Sequence, residues 1–307
     1  MSDTISDARL AVSFGASFLG FPTHLGFLRG LVAGGWRPAA VAGSSAGAII
    51  AGLYAAGLTL DEIEAAVTRR DLKKHFWEPS FPLRALGTFM ARPGVPAVLV
   101  GKQIERLFRD VVGDLRIEDC KAASLHIAVA NLRTNSVEVR NSGPLVETIM
   151  ASCALPGFLA PRRMDGELLW DGGLGSGVPI EQWIDTAEIT HIAAHTLIHE
   201  ELLRAREKPE RLTFPGAMMT GHQLTADELL RWKLELARRM GKTVVAIETV
   251  TQRPRLGLPL TAPATKPWQE HSRDLMAIGQ RSAERALEQL RASQPLTSVG
   301  EMPITNY

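Results

Sequence analysis

Two short motifs carry residue types that could do acyl-ester chemistry: Gly43-Ser44-Ser45-Ala46-Gly47 and Asp171-Gly172-Gly173. A serine hydroxyl is a poor nucleophile until a neighbouring base takes its proton. In a GxSxG run, a sharp strand-to-helix turn lifts that hydroxyl clear of the backbone, and small neighbours admit a substrate carbonyl. Apolar Ala39–Ala42 precedes the run and an Ala/Gly-rich helical stretch follows, which is the context the motif requires. The same five residues would also serve as a plain tight turn. Asp171 ends a short predicted strand before two glycines, where a carboxylate can approach a ligand, although Asp-Gly is also a common turn pair. A free aspartate ionises near pH 3.9. Burial beside apolar groups would raise that value and make it a better base. The pair predicts a Ser/Asp hydrolase with no histidine in the catalytic pair.

Ester hydrolysis also needs donors for the developing oxyanion. Gly15-Ala16-Ser17-Phe18-Leu19-Gly20 follows the first predicted strand and precedes a helix. Its small residues leave the N–H groups of Gly15, Ala16 and Ser17 free to face a negative charge. A nucleotide-binding loop fits less well, because no GKS/T follows and Ser17 breaks GxGxxG. With eight histidines a Ser-His-Asp triad has to be weighed. His195 and His199 lie late in the chain, where a base could sit, but no motif supports them and they read as packed or surface residues.

The chain has 307 residues, 45% of them hydrophobic, enough to bury a sizeable core. Its formal net charge of +1 gives no bulk electrostatic case for a nucleic-acid partner. Cys120 and Cys153 do not make a disulfide framework, which favours a reducing, cytoplasmic setting. The opening residues lack the basic and apolar blocks of a secretory signal. Pro38–Leu60 carries no charged residue and is long enough to span a bilayer. Its four glycines and central Ser44-Ser45 instead fit a buried strand entering a buried helix, so no transmembrane helix is expected.

Short apolar runs predict strands at Leu10–Phe14, Ala39–Ala42, His126–Ala130, Ser136–Arg140, Leu168–Trp170, His191–His195 and Thr243–Ile247. Helices are expected from Pro22 to Gly34, and over Ala46–Ala56, Leu60–Arg70, Lys102–Val112, Leu145–Cys153 and Gln269–Leu290. The alternation predicts one α/β domain over residues 8–290 with a largely parallel sheet and helices on both faces, followed by a tail, 291–307. His75–Val100 shows no clear period and reads as an excursion over the sheet, either part of a substrate pocket or a packed loop. Thr196–Leu224 reads as an irregular surface segment. Asp227–Met240 then predicts an amphipathic helix, with Leu229, Trp232, Leu236 and Met240 on one face and arginines on the other. That apolar face either packs on the core or lies at a membrane surface as a lid.

The three motifs, in this order, resemble the patatin-like phospholipase family. GSSAGAIIAGLYAAGLTLDEI is similar to the family's elbow and following helix. ASCALPGFLAPRRMDGELLWDGGLGSGVPI is similar to its run into the aspartate, and the likeness covers Leu10–Ile184. The donor loop departs from bacterial members, with Leu19 where an arginine usually stands, and is similar to the adiponutrin-type loop of animal lipases. The resemblance implies a three-layer α/β/α fold and a dyad of Ser45 as nucleophile and Asp171 as base. It implies donors in the Gly15–Ser17 loop, with Gly20, Gly43, Gly47, Gly172 and Gly173 shaping the turns. It further implies hydrolysis of lipid acyl esters through an acyl-enzyme, with no metal or cofactor, and peripheral membrane contact. A catalytically weak lipid-binding protein and an acyltransferase are the alternatives on the same fold.

Overall fold

The computed structural model describes residues 9–212, 214–252, 264 and 266–293. Among the described residues ten strands run in chain order: β1 Leu10–Phe14, β2 Ala40–Gly43, β3 Ala97–Leu99, β4 Ser124–Asn131, β5 Ser136–Arg140, β6 Gly157–Leu159, β7 Arg162–Met164, β8 Glu167–Asp171, β9 His191–His199 and β10 Thr243–Thr251. The helices are α1 Phe21–Ala33, α2 Ala46–Ala55, α3 Leu60–Val67, α4 Leu72–His75, α5 Phe81–Phe89, α6 Lys102–Val112, α7 Leu145–Ser152, α8 Glu200–Glu207, α9 Phe214–Arg239 and α10 Trp268–Ala292. The main sheet has the order β10-β9-β1-β2-β4-β8-β7, with β5 paired to β4. The pairings from β10 through β4 are parallel, and those of β5, β8 and β7 are antiparallel.

β1 is buried along its whole length. A parallel strand covered on both faces reads as an unbroken apolar run, which is why LAVSF stands out in the sequence. Its side chains divide between two cores with the strand period of two. Leu10, Val12 and Phe14 join residues of α1, α2, α7 and α10 on one face. Ala11 joins Ala42, Ile192 and Ala194 on the other, covered by Leu234 and Ala237 of α9 and by Val178–Trp183. This is the expected three-layer α/β/α arrangement.

Two stretches differ from the sequence reading. His75–Val100 is not a plain excursion: it holds α5, and β3 pairs with β6 in a small second sheet. Thr196–Leu224 is not irregular: it completes β9 and supplies α8 and the first turns of α9. Glycine and polar residues obscure the helical period before Asp227. α10 extends to Ala292, so the expected tail begins inside a helix, and residues 294–307 lie outside the described residues. Among the described residues no helix is long and apolar enough to cross a membrane. Pro38–Leu60 becomes β2, the elbow and α2.

Glu78 ties the β3 excursion to α6. Its buried carboxylate accepts the N–H groups of Val100 at 2.8 Å, Gly101 at 2.6 Å and Lys102 at 3.2 Å. These donors lie at a helix N-terminus, where a carboxylate also meets the favourable end of the dipole. Glu78→Ala is expected to lower stability by about 2 kcal/mol, because buried donors lose their acceptor. The urea unfolding midpoint reads the change, and an unchanged midpoint would refute this account.

Candidate active site

β1 and β2 end level with one another, with Phe14 opposite Gly43, so the loop after β1 and the turn after β2 emerge on one edge of the sheet. Gly43 pairs with Ile127 of β4, and Val129 pairs with Asp171 of β8. Two residues on from Gly43 along the chain is Ser45, and two residues on from Ile127 is the level of Asp171. Sheet register therefore brings the Ser45 turn and the aspartate together.

Ser45 stands at the N-terminus of α2 with φ 54° and ψ −121°, outside the regions that L-residues populate freely. Strain of this kind persists where the surroundings over-determine it. Here the surroundings are tight: a Cβ on Gly43 would overlap the Gly47 backbone, and one on Gly47 would overlap the Phe14 carbonyl. The Ser45 N–H donates to Ser152 Oγ at 2.9 Å, and Ser152 Oγ–H donates to the Ala128 carbonyl at 2.7 Å. The Cys153 thiol donates to the Ser45 carbonyl at 3.3 Å. Burial pushes that thiol well above its usual range, so it stays protonated. Ser152 and Cys153 thus hold both ends of the Ser45 residue. The sequence offers no spacing signal for this role.

The half-buried Ser45 hydroxyl donates to Asp171 Oδ2 at 2.8 Å. The Gly173 N–H donates to Oδ1 of the same carboxylate at 2.8 Å. Asp171 is only 3% exposed. Burial lifts its pKa from 3.8 to about 7, against the opposing pull of the Gly173 and Ser45 donors. A carboxylate this basic and this close can take the serine proton near neutral pH. The turn glycines leave no room for side chains: a Cβ on Gly172 would overlap the Ala128 carbonyl, and one on Gly173 would crowd Ala16. A Cβ on Gly20 would strike Ser17 Oγ.

The donor loop differs from the expectation. The Gly15 N–H donates to the His195 carbonyl at 2.9 Å, and the Ala16 N–H donates to the Gly177 carbonyl at 2.8 Å. Both are already engaged, one by a mid-strand carbonyl of β9 and the other by the turn before Val178. The N–H of Ser17 has no acceptor among the described residues. The Gly15 carbonyl bonds His24 Nε2 at 2.9 Å, and His24 Nδ1 lies 2.9 Å from His195 Nδ1. His195 Nε2 lies 2.9 Å from Thr249 Oγ1. Burial lowers His24 to about 3 and His195 well below its usual value, so both rings are neutral. Neither bonds Ser45 or Asp171, and His195 is a packed histidine. His199 ends β9.

His222 of α9 reaches the site, with Nε2 2.8 Å from the Gly173 carbonyl. It falls in the stretch read as irregular, so nothing marked it in the sequence. α9 covers a cleft of about 40 Å³ lined by Gly15, Ala16 and Gly173 on one side and His222 and Ala226 on the other. The apolar face expected on this helix points outward: Leu229, Leu236 and Met240 are exposed and Trp232 is 66% exposed, while Leu234 and Ala237 pack inward. Among the described residues no group of three or more His, Cys, Asp or Glu side chains is placed to hold a metal ion.

An NTE family protein of Mycobacterium tuberculosis is 33% identical over 57% of this chain and 45% of its own length. Lysophospholipase NTE1 of Saccharomyces cerevisiae is 29% identical over 52% of this chain and 9% of its own. The matched stretch therefore spans less than half of either relative. The crystal structure of VipD from Legionella pneumophila aligns over 92% of this chain and 67% of that one, with a TM-score of 0.49 and 16% identity. A family model described as patatin-like phospholipase matches residues 13–184, more than half of the chain, and holds the elbow, the donor loop and the aspartate turn. The chain belongs to the patatin-like phospholipase family.

Proposed function

We propose that this protein hydrolyses acyl esters of lipids through a Ser45–Asp171 dyad. The observation that carries the reading is the 2.8 Å bond from Ser45 Oγ to a buried carboxylate whose pKa is raised to about 7. Ser45 Oγ attacks the ester carbonyl carbon while Asp171 takes its proton. The N–H of Ser17, together with that of Ala46 after the nucleophile, stabilises the oxyanion. Asp171 returns the proton to the departing alcohol oxygen, leaving an acyl-enzyme. Water then attacks the acyl carbon, gives its proton to Asp171, and Ser45 is restored as the acid leaves. The family and the name of the yeast relative support a lipid substrate. Peripheral contact with a lipid surface belongs to the same reading, because an insoluble ester is met at its interface.

One observation favours a second reading, a catalytically weak lipid-binding protein: two of the three expected donors are engaged within the protein. Intact mass after treatment with a lipid-like fluorophosphonate, followed by peptide mapping, separates the two. A single adduct on Ser45, lost in Ser45→Ala and Asp171→Asn, is the expected result. No adduct, under conditions that label another serine hydrolase, would favour the lipid-binding protein.

A further inference from the structure

Outside the site, the segment around α5 carries a group of exposed apolar side chains. Trp77 is 57% exposed, Leu83 72%, Leu86 57%, Phe89 74% and Met90 72%. Large apolar side chains scattered singly on a surface need no explanation, but a contiguous group of them marks an interaction site. The charge along this segment is one-sided. From Lys73 to Lys102 the chain carries five basic residues and a single acid, Glu78. That acid is buried and bonded to backbone donors. Lys73, Lys74 and Arg92 are exposed and make no ion pair among the described residues. Nearby Asp71 is paired with Arg69.

The outward stripe of α9 is different. Two of its three arginines are paired on the helix itself, Arg231 with Glu228 and Arg239 with Glu235, while the exposed Arg238 makes no ion pair among the described residues. An apolar face with unpaired cations suits an anionic bilayer surface, where aromatic and aliphatic side chains enter the interface and Lys/Arg meet headgroups. The α9 stripe has one such cation, Arg238, against the three beside α5.

The α5 surface is also joined to the site. Trp77 packs beside Phe81 with ring centroids 6.1 Å apart. Its chain neighbour Phe76 lies 6.2 Å from Phe158, and Phe158 lies edge-on to Phe18 at 5.0 Å. Phe18 belongs to the loop that carries Gly15–Ser17. We infer that the Trp77–Met90 surface, rimmed by Lys73, Lys74 and Arg92, docks this protein on an anionic phospholipid bilayer. Docking there sets the lipid surface against the aromatic side chains that lead to the donor loop. The inference rests on the lipid-hydrolase reading for its purpose but not for its test.

The test is flotation of the full chain with vesicles of phosphatidylcholine and phosphatidylserine, 7:3, against phosphatidylcholine alone. The wild type is expected to float with the anionic vesicles and to lose binding as salt rises. The double variant Trp77→Ser, Phe89→Ser should bind at least tenfold more weakly. The triple variant Lys73→Glu, Lys74→Glu, Arg92→Glu should lose the preference for anionic vesicles. All of these side chains are exposed and outside the catalytic machinery, so a soluble short-chain ester and fluorophosphonate labelling should be handled as by wild type. The same binding should persist in Ser45→Ala, which separates docking from turnover: if wild type fails to hydrolyse yet floats through this surface, the hydrolase reading fails and the docking inference stands. Unchanged flotation of the α5 variants overturns the inference, as does loss of flotation in Trp232→Ser instead. Sedimentation showing a wild-type dimer that the Trp77→Ser, Phe89→Ser variant splits would also overturn it, by assigning the surface to a second copy of the chain.

Discussion

Ser45→Ala will reduce turnover of an activated short-chain ester by about 10⁴-fold or more while leaving the fold and vesicle binding intact. Removing the nucleophile of a serine hydrolase typically costs about 10⁶ in kcat, and the residue of activity reflects binding and oxyanion donors. The lower figure allows for a donor loop in which only the Ser17 amide of the expected three is unengaged. The substitution deletes one oxygen and keeps the backbone constraints of the elbow, since the Ser45 N–H still meets Ser152 and Gly43 still packs against Gly47. It also strips Asp171 of a donor that opposes the effect of burial, so that carboxyl should ionise at still higher pH. Steady-state kinetics with matched near-UV circular dichroism reads the result. Activity within tenfold of wild type in correctly folded protein would eliminate Ser45 as nucleophile.

Asp171→Asn will lower activity by about 10²–10⁴-fold, the range for loss of a positioned general base, and will raise stability above neutral pH. Both effects come from one carboxyl. The base must be ionised, so wild-type kcat/KM should fall tenfold per pH unit below about 7 and level off above it. The variant should lose that inflection. For stability, the unfolded carboxyl ionises at its ordinary 3.8 and the folded one near 7. Between these values the folded protein holds a proton that the unfolded chain has released. Stability from this group is therefore fully present below 3.8 and declines as pH rises to about 7, by up to about 4 kcal/mol. Asparagine carries no charge to desolvate, so the variant should melt a few degrees higher than wild type at pH 8 and close to it at pH 4. A lower melting temperature at pH 8 would show that the ionised carboxylate stabilises the site rather than straining it.

Much of the architecture is legible in local patterns. Lys102–Val112 and Ser136–Arg140 are read with their observed bounds, because one has a clear helical period and the other a strand between turn residues. α5 escapes notice because so little of it faces a core: Gly87 is its one buried residue, and Pro82 and Gly87 disguise it as a loop. On α9 the apolar period at Leu229, Trp232, Leu236 and Met240 is real, yet it faces outward. Periodicity states which residues share a face of a helix and not what covers that face.

The sequence by itself determined the turn that exposes Ser45, because glycines at Gly43 and Gly47 and a strand-to-helix switch are local steric facts. It determined the α/β class through short apolar runs between helices, and it marked Asp171 as a carboxylate on a tight turn. Only the tertiary structure decided that these two side chains meet, 126 residues apart, because sheet register sets that distance and no local rule does. Only it decided that the Asp171 carboxyl is buried and its pKa raised, since a pKa depends on the packing of every element around the group. The same holds for the donor loop, whose Gly15 and Ala16 amides are occupied by carbonyls from β9 and the turn before Val178. Local sterics can be read from neighbours in the chain, whereas burial and hydrogen-bond occupancy are set by segments that folding alone brings together.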